Sequence, residues 1–361
     1  MKRYLQAIIG LAIGIGLLWF LFRDTNPAEI RDALRGVSPV WLFVSLAFIV
    51  LGFFTRVQRW SYIVRTDKFV SFRHMFSATQ IGFMANFVLP ARLGEVVRAV
   101  VLGKLAGLPF SKAFAMVALD RVTDLFGLAA VIFITIFSYR PEGTVVIPAS
   151  VFGTELRFSA EVVQSIEVKM LFVLVAMVAV LVLLYVNQKL VLRISDACMG
   201  VVSKRLAVRV RGILQNFADG LHVFRSASDM AKAIAFSLLT WGTFVLTMVS
   251  AMHAFHMVFP WYMPFVMEVL LAVFISLPGP PGFLGQFQYP IVIALMMLVP
   301  GMTISTALTF SIVIYVLNLV PVIVAGTYCL IREKFTFVEL TRESSQLQSE
   351  IETIRREMPS D

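Results

Sequence analysis

Apolar residues run in long blocks along this chain, and polar residues collect between the blocks. Apolar stretches of roughly 17 to 25 residues, the length a helix needs to cross hydrocarbon, lie at 4–22, 39–55, 113–137, 170–186, 231–251 and 303–331. Two further apolar regions break the pattern. Residues 74–108 are interrupted by Pro90-Ala91-Arg92-Leu93-Gly94-Glu95, and residues 264–299 by Pro278-Gly279-Pro280-Pro281-Gly282-Phe283-Leu284-Gly285. Each region has room for two half-membrane helices with a break between them.

Loop charge sets the direction of the spans. Residues 56–73 carry Arg56, Arg59, Arg65, Lys68 and Arg73 against Asp67, and residues 187–230 carry seven Lys and Arg against three Asp. Both loops are expected on the cytoplasmic side, where basic loops collect. Residues 138–168 hold Arg140 and Arg157 against Glu142, Glu155, Glu161 and Glu167, and the loop after 251 has no charge before Glu268; both are expected outside. Lys112 opens the span that leaves at Tyr139, so 74–108 has to enter and leave from the cytoplasm, and 264–299 from outside. Two broken hairpins that point at each other from opposite faces, each followed by a full span, form the pattern of an inverted-topology repeat. The predicted fold class is an all-α polytopic membrane protein with about six full spans plus two re-entrant broken hairpins, both termini being cytoplasmic. The alternative is an ordinary pair of kinked spans in each region, since Pro and Gly are tolerated in membrane helices.

Composition agrees with this reading. Of 361 residues, 59% are hydrophobic and 15% charged, and the mean hydropathy is +0.85, more than a single soluble core absorbs. The net charge of +9 lies in residues between apolar runs, where it meets lipid headgroups, and nucleic acid is not an expected partner. Cys198 and Cys329 are too few and too distant for a disulfide framework or a metal site. Lys2 and Arg3 before the run to Phe22 resemble a signal peptide, but Arg23-Asp24-Thr25-Asn26 offers no small-residue cleavage site, so a retained first helix is expected. Residues 203–226 place Leu206, Val210, Ile213, Phe217, Leu221 and Phe224 three and four apart among basic residues, as in an amphipathic helix on the inner leaflet or one packed on other cytoplasmic loops. The transmembrane domain is set at 1–335 and a cytoplasmic helical tail at 336–361, whose Leu340, Leu347, Ile351, Ile354 and Met358 suit a homo-oligomer contact or a simple solvated helix. Trp60, Tyr62, Trp241, Trp261 and Tyr262 are expected in aromatic belts at the membrane edges, and His253 and His256 at the interface.

Charge inside the apolar regions marks the candidate chemistry. Pro90 suits the first turn of a helix running through Arg98, and such an N-terminus presents free N–H groups to an anion. Arg92, Glu95 and Arg98 fall three apart and share a face, so two guanidiniums stand against one carboxylate; a phosphate would balance the remainder. In the span 113–137, Asp120 and Asp124 share a face, with Arg121 within reach of Asp124. Ionisable groups at such depth are expensive and face either a functional cavity or an internal ion-pair network. In the second hairpin, Gly282 and Gly285 allow close approach, and Gln286 and Gln288 hydrogen-bond without charge; a packing hinge is the alternative. Nucleotide-binding loops, metal spacings and nucleophile elbows are not found, and neither a cofactor nor a metal is expected.

The pattern Asn86-x-x-x-Pro90-x-Arg92-x-Gly94-Glu95-x-x-Arg98, followed by Arg121-x-x-Asp124 and by Gly282-x-x-Gly285, resembles the family of flippase-like integral membrane proteins that includes the transmembrane domain of lysylphosphatidylglycerol synthase. The resemblance covers about residues 5–335. In many members the second segment ends in a carboxylate, where this chain has Gln288. Multidomain relatives carry a soluble aminoacyl-transfer domain after the membrane part, whereas this chain stops at Asp361, so aminoacyl-lipid synthesis is not expected. The resemblance implies translocation of lipid between leaflets, with the substrate in a cavity between the two hairpins. The charges add the expectation of an anionic, phosphate-bearing headgroup. Candidate substrate-binding residues are Asn86, Pro90, Arg92, Glu95, Arg98, Asp120, Arg121, Asp124, Gly282, Gly285, Gln286 and Gln288; none is assigned a catalytic role, and the chain is not expected to be an enzyme. The expected location is a bacterial-type inner membrane, with anionic membrane lipids as partners. Two other readings stay open: a membrane-embedded transferase or hydrolase with Glu95 or Asp120 as general base, and a scaffold for envelope lipid enzymes.

Overall fold

The computed structural model describes residues 15, 16, 19–23, 25–64, 70–89, 93–141, 143–202, 211, 227–277, 279–337, 339, 340, 342–344 and 346. Most of the predicted span 4–22, the amphipathic stretch 203–226 and the tail beyond 346 therefore lie outside the described residues, as do Pro90, Arg92 and Pro278.

Helices carry the architecture. In chain order they are α1 (Pro27–Arg35), α2 (Pro39–Ile63), α3 (Phe72–Val88), α4 (Gly94–Ala106), α5 (Phe110–Ser138), the short α6 (Ala149–Phe152), α7 (Ala160–Val202), α8 (Ala227–Ala254), α9 (Met263–Ser276), α10 (Gln288–Leu298) and α11 (Ile304–Arg332). Their starts follow local chemistry: the side chains of Asn26, Ser71 and Thr303 each accept from a backbone N–H in the first turn, and prolines open α1 and α2. Pro39–Ile63, Ser228–Ala254 and Ile304–Arg332 are helices long and apolar enough to cross a membrane, and Pro281–Leu298 reaches that length only when the break before α10 is counted with it. The protein is a helical membrane protein. Helix α5 has the length, at 29 residues, but carries Lys112, Asp120, Arg121 and Asp124. Helix α7 is interrupted at Asn187, whose backbone is not helical, one residue past the predicted end of a span.

One expectation needs correction, and one small element stands beside the predicted helices. Helix α2 continues two turns beyond residue 55, to Ile63, and so takes Arg56, Arg59 and Trp60 out of the predicted loop and into the helix packing. Beside the helices, Thr144–Ile147 (β1) pairs antiparallel with Leu156–Ser159 (β2) within the polar segment 138–168. Both strands alternate in burial, as a two-stranded ribbon with one covered face does.

The broken regions have the predicted interruptions. Helices α3 and α4 contain 17 and 13 residues, and α9 and α10 contain 14 and 11. At 1.5 Å per residue, each is shorter than the roughly 30 Å hydrocarbon core. Helix α4 begins at Gly94, after Leu93, so Glu95 and Arg98 both lie on it. Asn86 closes this first break: its Oδ1 accepts from Gly94 N–H at 2.9 Å. Glycine is required there by proximity, since a Cβ on Gly82 would come within 2.9 Å of the Gly94 carbonyl oxygen and one on Gly94 would overlap both Gly82 and Asn86.

In the second break, Gly282 and Phe283 have φ of 70° and 57°, so a non-glycine residue is held in the left-handed region. Backbone freed from helix and buried among packed helices has to be satisfied by protein, and here side-chain amides do it. Gln286 Nε2 donates to the carbonyls of Phe274 and Leu277 at 3.1 and 3.0 Å, which caps the end of α9. Gln288 Oε1 accepts from Gly285 N–H at 2.8 Å, and the Tyr315 hydroxyl of α11 donates to the Gly282 carbonyl at 2.7 Å.

Helices α2 and α8 pack along a polar seam, with Ser45 Oγ 2.8 Å from Ser250 Oγ and Thr240 Oγ1 3.0 Å from Thr55 Oγ1, the small-residue contact that membrane helices favour. One apolar core gathers around the first hairpin, with Trp60, Val97, Val100 and Met116, and another around the second, with Met267, Ile291, Leu295 and Phe310. Phe87 of the first hairpin meets Phe283 of the second edge to face, with ring centres 5.5 Å apart.

Candidate functional site

A chain of ion pairs starts in the first core and ends in a cavity between the hairpins. Arg98 Nη1 donates to Asp120 Oδ2 at 2.7 Å, and Arg59 Nε donates to Asp120 Oδ1 at 3.0 Å. Arg59 Nη1 donates to Asp124 Oδ1 at 2.5 Å. Arg121 then stands 3.8 Å from Asp124 Oδ2 and 2.7 Å from Glu95 Oε1. The order is thus Arg98, Asp120, Arg59, Asp124, Arg121, Glu95, across three helices: α4, α5 and α2. Exposure is confined to its second half. The Arg98, Asp120 and Arg59 side chains are at most 1% exposed, whereas Asp124, Arg121 and Glu95 are 17, 40 and 28% exposed. The inner half locks helices together, and the outer half faces open space.

Aromatic residues fix both halves. The Arg98 guanidinium lies 3.7 Å over the Trp60 ring, and Trp60 Nε1 donates to the Met116 carbonyl. Trp241 Nε1 lies 3.2 Å from both the carbonyl and Oδ1 of Asp124. These two tryptophans were expected in the membrane-edge belts; both are buried and tied to the ion chain instead, whereas Trp261 is 65% exposed.

The cavity has a volume of about 620 Å³. The first hairpin supplies Asn86 and Glu95 to its wall, the second Glu268 and Phe283, α2 Arg56, and α5 Arg121 and Asp124. Much of the remaining wall is apolar, with Phe53, Phe83, Phe87, Phe244 and Phe287 among it. Few polar groups in a mainly apolar concavity is the usual make-up of a ligand site.

The predicted site residues divide accordingly. Asn86, Glu95, Arg121 and Asp124 come together on the cavity wall. Arg98 and Asp120 lie behind it, paired with one another, so Arg98 faces Asp120 where pairing with Glu95 was expected. Gly282, Gly285, Gln286 and Gln288 form the backbone connections of the second break. Pro90 and Arg92 lie outside the described residues.

Three wall or support residues escaped the sequence reading. Arg56 and Arg59 were counted as loop charges, and Glu268 was noted only as the first charge after an uncharged loop. The signal for the arginines was helical spacing: Arg56 and Arg59 continue the period of the apolar run before them. Among the described residues there is no group of three or more His, Cys, Asp or Glu able to hold a metal ion.

The comparisons with known proteins add the family. A UPF0104 membrane protein of Methanothermobacter thermautotrophicus is 30% identical over 251 residues, 65% of this chain and 69% of that protein. The glycosyltransferase AglD of Haloferax volcanii is 27% identical over 139 residues, 37% of this chain and 22% of that protein. No solved structure matches. The family model described as the lysylphosphatidylglycerol synthase TM region matches residues 7–326, and with nearly the whole membrane part covered, the chain belongs to that family.

Proposed function

We propose that this protein carries a phosphate-bearing lipid between membrane leaflets, with the headgroup in the cavity between the two broken regions and the tails against its apolar wall. The observation that carries the reading is the wall itself: five ionisable side chains, Arg56, Glu95, Arg121, Asp124 and Glu268, converge from four helices on an open space inside a helical membrane protein. Charge at such depth is costly unless it meets a polar ligand, water or an opposite charge. The chain order supports the mechanical side. A short helix, a break, a second short helix and a 29-residue helix occur twice, as α3, α4, α5 and as α9, α10, α11. In our reading the two triplets are inverted repeats that rock against each other and open the cavity to one leaflet and then the other. Arg121 and Glu95 form the exposed, weakest end of the ion chain and are the pair that a headgroup phosphate would open.

The family assignment supports a membrane lipid as substrate, and the AglD match keeps a lipid-linked transferase as the rival reading. Purified protein in vesicles with labelled phospholipids tests both. Arg121→Ala and Glu95→Gln should each slow exchange of the label between leaflets by about tenfold or more, the loss of one charge-assisted contact. Native rates in both variants for every lipid would remove the transport assignment, and a new lipid species in the mass spectrum of extracted vesicles would favour the transferase.

A further inference from the structure

Two charged side chains of the cavity stand outside the ion chain. The Arg56 guanidinium is held between Phe83 and Phe244, 4.8 Å from each ring centre, and makes no ion pair among the described residues. Glu268 comes from the other hairpin, is 5% exposed, and makes no hydrogen bond or ion pair among the described residues, although it feels the charge of Arg56. A buried carboxylate without a contact partner is unusual, because desolvation is ordinarily offset by a direct hydrogen bond.

The pairing of the wall residues says what is missing. Among the described residues of the wall, Arg121 is paired with Glu95 and stands near Asp124, and Asp124 also accepts from Arg59, so Arg56 and Glu268 are the two charged-type side chains left without an ion pair. Arg98, one of the two arginines expected to leave a positive surplus, is paired with Asp120. A purely anionic ligand would partner Arg56 and leave Glu268 facing like charge; a purely cationic one would do the reverse. A ligand with separated charges that sum to zero gives each group a partner.

We propose that Arg56 and Glu268 are the two poles of a binding site for a zwitterionic headgroup, Arg56 taking the phosphate and Glu268 the ammonium. This rests on the reading of the cavity as the headgroup site and narrows its substrate class. The aromatic surround favours the arrangement, since Phe83 and Phe244 hold the Arg56 plane in place and the apolar wall strengthens both charge contacts by excluding water. The second hairpin supplies the Glu268 pole and α2 the Arg56 pole, so a bound headgroup links the two.

Binding of short-chain phosphatidylethanolamine, phosphatidylglycerol and phosphatidic acid to the purified full chain tests the proposal, with thermal melting as the fold control. The native protein should bind the ethanolamine lipid at least about tenfold more tightly than the glycerol lipid. Glu268→Gln should abolish that preference, weakening the ethanolamine lipid and relieving the repulsion felt by phosphatidylglycerol, Glu268→Asp should restore part of it, and Arg56→Gln should weaken all three lipids. An unchanged preference in a folded Glu268→Gln protein overturns the dipolar site, as does equal native affinity for the three lipids; in both cases binding that still depends on Arg121 leaves the cavity reading standing. Failure of that reading has a different signature, lipid binding indifferent to Arg121, Arg56 and Glu268 alike. Phosphoethanolamine without acyl chains distinguishes the source of the ligand: weaker binding than the lipid supports a membrane headgroup, and equal binding supports the two poles with a soluble ligand in their place.

Discussion

Asp120 receives two guanidiniums while exposing 1% of its side chain, and this makes it the most consequential single carboxylate of the ion chain. Removing its charge leaves Arg59 and Arg98 buried and undercompensated, a fault that costs about 3–5 kcal/mol in buried pairs. Asp120→Asn should therefore lower the melting temperature in detergent markedly. Arg121→Gln, at the 40% exposed end, should lower it far less, because exposed pairs contribute about 1 kcal/mol at most. Equal losses in the two variants would contradict the division into a locking half and a cavity half. The sequence revealed Asp120, Arg121, Asp124 and Glu95, because charges inside apolar runs are conspicuous. It concealed Arg56 and Arg59, since a loop boundary drawn where hydropathy falls cannot anticipate that aspartates on another helix will accept those arginines. Glu268 was hidden for the opposite reason: a lone carboxylate near a predicted membrane edge shows no sign of the wall it will face.

The interruptions of the two hairpins were readable from Pro, Gly and charge, but their closure was not. Asn86, Gln286 and Gln288 hydrogen-bond to backbone, and which backbone group lies within 3 Å depends on how the short helices return. The ribbon of β1 and β2 was missed because four-residue strands inside a polar segment leave almost no periodic signal. The start of the tail is a further element that tertiary contact decides. Lys104 of α4 donates to Glu339 and Glu343 at 2.8 and 2.7 Å, and Leu340 between them is fully buried. The hydrogen bond from Lys104, and then its charge, hold the Glu339 carboxyl below its ordinary value of 4.5. A depressed carboxylate stabilises the docked tail above that ordinary value, and the contribution is lost as pH falls through the lower folded value. A spin label at Arg342→Cys should thus gain mobility on acidification below 4.5 and in high salt, and an unchanged spectrum would show that the apolar contact of Leu340 alone holds the tail.

The two largest apolar cores gather around the two hairpins, α11 enters both, and Phe87 and Phe283 are among the contacts that join these two bodies. If rocking of the two repeats moves lipid, tying those bodies together has to stop it. A short bismaleimide bridge between Phe87→Cys and Phe283→Cys should abolish leaflet exchange in vesicles, while the same protein without the bridge retains it. Undiminished exchange in the bridged protein would replace rocking with movement along a fixed surface.

The ion chain, in which Arg98, Arg59 and Arg121 stand against Asp120, Asp124 and Glu95, also bears on electrical work. Each elementary charge carried through a membrane potential costs or releases about 2.3 kcal/mol per 100 mV. With each of these six groups ionised they sum to zero, so their rearrangement as a unit carries no net charge through the field. If the protein carries lipid as proposed, its return when empty would be indifferent to membrane voltage so far as these six residues are concerned, and a zwitterionic load would leave the outward and inward journeys electrically alike.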